Sequence, residues 1–79
     1  MARFRFFVTL HKDKGQWIVL LNGAHSVPYP SQKEAIRAAV NAAYKEGAAG
    51  HDARVLVQGE DNEIRTEWTY GHDPYPSAG

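Results

Sequence analysis

Cysteine is absent from all 79 residues, which excludes disulfides and thiolate-held metals together. No apolar run approaches the roughly 20 residues that span a bilayer. Arg3 and Arg5 precede a stretch that alternates in polarity and reaches Lys12 without a cleavage-like site, so no secretory leader is expected. The seven glycines are scattered, with no spacing that cradles a phosphate. A chain without cysteine, leader or span is expected in a reducing compartment, read here as the cytoplasm, with no membrane contact.

What is present suits one small domain. Chains of this size bury only about 60% of their unfolded surface, so the core is thin. Eleven of the hydrophobic residues are alanines, which bury little each. Such domains often need a disulfide, a metal or a partner chain. With no cysteine, a second copy is the expected staple. Net charge is zero, but it is segregated. Through Lys45 there are seven Lys/Arg and two acids, or +5; from Glu46 there are two arginines and seven acids, or −5. A solvated surface of uneven charge is the plain reading; steering of self-association is the functional one.

Phe4 to His11 alternates, with Phe4, Phe6, Val8 and Leu10 opposite Arg5, Phe7, Thr9 and His11, the period of a strand. Lys12-Asp13-Lys14-Gly15 turns the chain into a second strand, Gln16 to Leu21. There Trp17, Val19 and Leu21 share one face, but Ile18 and Leu20 make the other apolar too. Asn22-Gly23, Pro28 and Pro30 mark a loop. Ser31 with Glu34 three residues on is a capping-box start. An alanine-rich helix follows to about Glu46, its stripe Ile36, Ala39, Val40, Ala43 and Tyr44, ended by Gly47 as C-cap. This stripe is expected to pack on Trp17 and Val19. Arg54 to Gln58 forms the third strand, and Gly59 to Glu63 the turn, with Asn62 suited to a left-handed backbone. The fourth strand places Ile64, Thr66, Trp68 and Tyr70 on one face. Residues 1–73 read as one domain and 74–79 as a short flexible tail.

The order Trp17-x-Val19, Ser31-x-x-Glu34-Ala35, Leu56-Val57, Asp61-x-x-Ile64 and Tyr70-Gly71-x-Asp73-Pro74 resembles the DUF2188 family. The resemblance runs from about Phe7 to Pro76. It implies a small ββαββ protein of bacterial or phage association, of no assigned function and with no catalytic residue to carry over. Asn62 stands where the family usually has glycine; asparagine tolerates the same backbone shape.

Four histidines and the pairs His51-Asp52 and His72-Asp73 are the nearest approach to a metal or acid–base set. Adjacent residues rarely chelate one ion, and no i, i+4 histidine pair lies on the helix. Ser26, Ser31 and Ser77 fall in a loop, a cap and a tail, without a positioned base. No catalytic site, metal or cofactor is expected. Arg3, Arg5, Lys12 and Lys14, interleaved with Phe4, Phe6, Phe7 and Trp17, would suit a single-stranded nucleic acid. The neutral total and the core's need for those rings weigh against that reading.

The expected fold is α+β: two β-hairpins flank one helix, which packs on a largely antiparallel four-stranded sheet (ββαββ). The expected function is that of a non-enzymatic interaction module, forming a homodimer through Phe7, Ile18, Leu20 and Leu56. The alternative is nucleic-acid binding through Arg3, Arg5, Lys12 and Lys14. A second alternative leaves the chain monomeric, with Pro74-Tyr75-Pro76 folded over the exposed face.

Overall fold

The computed structural model describes residues 2–11, 14–22, 25–59 and 61–75. Five strands and one helix follow in the order β1 (Arg3–His11), β2 (Gln16–Leu21), β3 (His25–Tyr29), α1 (Gln32–Ala48), β4 (Asp52–Gln58) and β5 (Ile64–Thr69). They form a mixed sheet of order β3-β2-β1-β4-β5, with α1 across one face. β1 pairs antiparallel with β2 and parallel with β4; the two outer pairs are antiparallel.

The fold is thus α+β with one helix, but the four-stranded antiparallel expectation needs two corrections. His25–Tyr29, read as loop because of Pro28 and Pro30, is a strand. It lies at the sheet edge, where a proline can pair on one side while its missing N–H faces outward. The second correction follows from the first. An odd number of strands before the helix makes the crossover return parallel to β1, so the sheet centre is a parallel pair.

The core lies between α1 and the sheet. Val8, Val55 and Val57 on the two central strands are fully buried, with Phe6, Ala53 and Trp68 close to it. On the helix the buried residues are Ala35, Ala39, Val40, Ala43 and Gly47. The stripe is therefore turned by about one position from the expected one. Ile36 is only half-buried and Tyr44 is 37% exposed. The helix lies chiefly over β4 and β1 rather than on Trp17 and Val19 of β2. Its small residues allow that close approach, and a shallow apolar groove is left between Ala38, Ala42 and the exposed Val27.

Ser31 caps the helix as its sequence implies: its Oγ accepts from the Glu34 N–H at 3.2 Å and donates to the Glu34 carboxylate at 3.4 Å. Gly47 has another role than the expected cap. The helix continues through it to Ala48, and Gly50, at φ +96°, supplies the left-handed residue beyond the end. Gly47 is needed because the Tyr70 ring lies where its Cβ would be.

One irregularity re-aims β5. Val55 pairs with Trp68, but Leu56 pairs with Thr66, leaving Glu67 as an extra residue. Ile64 and Thr66 therefore lie on the face away from the helix, while Trp68 turns into the core. The sequence pattern, which placed these three on one face, is corrected by that bulge. At the other turn Asn62 takes φ +66°, as expected.

Candidate functional site

The sheet face away from α1 is where the candidate residues converge. Cross-strand register aligns Leu20, Phe7, Leu56 and Thr66 in one row through the sheet centre. The next row carries Pro28, Ile18 and Thr9, and Thr9 Oγ1 meets Gln58 Oε1 at 3.0 Å. Phe7, Ile18, Leu20 and Leu56 are half-buried, shielded only by their neighbours in the sheet. No element of the described residues lies over them, and they form a contiguous apolar patch.

A charged cluster borders this patch. Asp52, at the start of β4, faces three guanidinium groups: Arg5 at 3.1 Å, Arg54 at 3.8 Å and Arg3 at 3.9 Å. The hydrogen bond from Arg5 does most to hold the Asp52 carboxyl below its ordinary value of 3.8. Desolvation opposes it with the next largest effect, and the charges of Arg5, Arg54 and Arg3 add to the lowering. Asn22 orders the arginine strand. At φ +50° its Oδ1 accepts from the Arg5 N–H at 2.8 Å and its Nδ2 donates to the Arg3 carbonyl at 3.2 Å. Three arginines around one carboxylate leave this end of the face positive.

The proposed basic set is thus only partly assembled. Arg3 and Arg5 lie together, and Arg54 joins them, a residue the sequence pattern did not single out. Lys14 sits in the β1–β2 turn at the far end of β1, about 25 Å away at the rise of a strand. Lys12 lies outside the described residues. Of the aromatic rings expected beside these charges, Phe4, Phe6 and Trp17 face the core and only Phe7 shares the face.

The segment after β5 turns to the other side of the sheet. Asp73 Oδ2 accepts from the Thr69 N–H at 2.8 Å, and the Pro74 carbonyl accepts from Trp68 Nε1 at 2.9 Å. The Tyr75 ring stacks on Tyr44 of the helix at 3.9 Å, and its hydroxyl donates to Asn41 Oδ1 at 2.7 Å. Pro74 and Tyr75 therefore do not cover the open face; Pro76 lies outside the described residues. These contacts between distant positions carry no local sequence signal.

Among the described residues no three His, Cys, Asp or Glu side chains come together as a metal group would require. His51 packs on the Phe4 ring at 5.1 Å, its Nδ1 buried without a partner among them. His72 sits beside Asp73, with 3.5 Å between Nδ1 and Oδ1. No described helix is long and apolar enough to cross a membrane.

The match to known sequences follows the same elements. The DUF2188 family, described as an uncharacterized protein conserved in bacteria, matches residues 6–70, from Phe6 of β1 past the end of β5. This chain belongs to the DUF2188 family. No curated protein and no solved structure matches it. The DUF2188 match spans both halves of the open face, from Phe7 to Thr66, and all of α1.

Proposed function

We propose that this DUF2188 chain is a non-enzymatic interaction module of the cytoplasm that pairs with a second copy of itself through the open sheet face. The observation that carries this reading is the uncovered apolar row Leu20–Phe7–Leu56, with Ile18 beside it. A thin core on one side and an apolar surface on the other is the situation a two-fold partner resolves.

Two features favour the face over the edges. At the β3 edge Pro28 removes a donor. At the β5 edge the bulge at Glu67 interrupts the ladder, and both Thr69 backbone groups are taken up by Asp73 and His72. Charge favours an antiparallel arrangement. The arginine cluster stands at the start of β4, whereas Asp61 and Glu63 lie in the turn at its end. A two-fold axis near Phe7 would bring the basic end of one copy toward the acidic turn of the other.

Sedimentation at micromolar concentration tests the pairing. A dimer that becomes monomeric in Leu56→Arg, with cooperative melting retained, supports it; a monomeric native chain removes it. Nucleic-acid binding through Arg3, Arg5, Lys12 and Lys14 is the second reading, favoured by the clustering of Arg3 and Arg5 with Arg54 beside Phe7. Fluorescence anisotropy with labelled single-stranded oligonucleotides distinguishes it, since such binding would weaken steeply with salt.

A further inference from the structure

On the helix side, remote from the open face, four aromatic rings close a circuit. Tyr44 of α1 lies 5.6 Å from Tyr70, Tyr70 6.2 Å from Trp68, Trp68 6.4 Å from Tyr75, and Tyr75 3.9 Å from Tyr44. Only the last pair is parallel, its two rings in face-to-face contact, so the outer ring surfaces are the ones left free; the other pairs are inclined by 54° to 68°. Three of the chain's four tyrosines and one of its two tryptophans meet here. The rings border a recess of about 330 Å³, whose one charged lining group among the described residues is Asp73.

The tyrosines are 36–42% exposed, although Trp68 beneath them is almost fully buried. Aromatic pairing alone does not require so much ring to stay at the surface. The backbone also makes room for the recess: Gly47 lets Tyr70 approach the helix, and Gly71, at φ +82°, turns the chain beside it.

We infer that this recess binds a trimethylammonium group, the charged end of a small organic cation. Ring faces carry the negative side of the aromatic quadrupole and attract a cation without offering hydrogen bonds. A quaternary ammonium needs no acceptor and loses little hydration on entry, so it suits a site walled by rings. Asp73 adds one full negative charge. Its Oδ2 is fixed by the Thr69 N–H, while among the described residues Oδ1 has only the exposed His72 imidazole, at 3.5 Å. Tyr75 supplies the outer wall. It comes from the chain after β5 and is held by the Tyr44 stack and the Asn41 hydrogen bond.

The test follows the Trp68 indole N–H resonance while choline or tetramethylammonium is added to the full chain. The expected result is a saturable shift at millimolar concentration, with no shift from 3,3-dimethylbutanol, the uncharged isostere of choline. Asp73→Asn keeps an oxygen for the Thr69 N–H but removes the charge, and should weaken binding by about tenfold. Tyr75→Leu should weaken it similarly, with melting measured alongside to separate loss of the wall from loss of the fold. A trimethyllysine peptide in a parallel titration distinguishes a side-chain source from a free cation: tighter binding by the peptide points to the former, equal binding to the latter. Equal shifts from choline and its neutral isostere, or no shift with either cation, overturn the inference. The open-face variant Leu56→Arg should bind the cation unchanged, so failure here is separate from failure of the dimer.

Discussion

The ring of Tyr70 occupies the space that a side chain at position 47 would fill, so Gly47 and Tyr70 fit each other across the helix and the end of β5. Glycine lowers helix stability by about 1 kcal/mol relative to alanine, so its presence inside α1 runs against local propensity. Gly47→Ala is nonetheless expected to lower stability. The atoms met are the inner ring carbons, which cannot swing away, and overpacking of this kind costs about 1–3 kcal/mol. Thermal melting checks this. In a Tyr70→Ala background the same substitution should become stabilising.

Val40 is 2% exposed at the helix–sheet contact. Val40→Asp should abolish cooperative folding, because an unpaired carboxylate would be buried. Tyr44→Ala, at a flanking and exposed position, should cost clearly less. Circular dichroism melts of the two variants test the corrected helix face; equal losses would restore Tyr44 to the core.

Ser31→Ala should remove the helix cap, with a loss of about 1 kcal/mol in urea unfolding. Ser31→Asp should retain most of that stability, since a carboxylate accepts the same Glu34 N–H and suits the helix N-terminus.

The Asp52 carboxyl should titrate below 3.8, and Arg5→Gln should move its midpoint upward by removing the largest cause of the shift. Because the folded value is the lowered one, the associated stability is present above the unfolded value. It is lost as pH falls through the folded value. Carbon-detected NMR titration of the side chain reads both directly. An unchanged midpoint in Arg5→Gln would remove the assigned role of that hydrogen bond.

Removing the chain after Asp73 deletes the acceptor for Trp68 Nε1 and the ring stacked on Tyr44. Melting temperature should fall while the oligomeric state stays unchanged, because these contacts lie on the helix side. A change of state on truncation would place the tail at the interface instead.

The faces of the sheet were legible where alternation ran unbroken. Phe7, Ile18, Leu20 and Leu56 were grouped from a period of two, which does not depend on how many strands are present. Strand number and direction were less legible. Pro28 looks like a breaker unless its strand is known to be an edge, and overlooking one strand reverses the direction expected for the next. The bulge at Glu67 hid the opposite orientations of Thr66 and Trp68, because alternation assumes a constant count. Arg54 was not grouped with Arg3 and Arg5 because only the parallel register brings it beside them.

That parallel register has a consequence for synthesis. β1 lies at the centre of the sheet, yet one of its two sides waits for β4, whose partner residues stand about fifty positions later in the chain. A nascent chain carrying β1 to β3 therefore exposes an unfilled ladder along Arg3 to Val8 until the helix and Asp52 to Val57 have left the ribosome. Another nascent copy on the same message could fill that ladder first. Arg3 and Arg5, which lie within that ladder, would repel the same strand of a neighbouring copy.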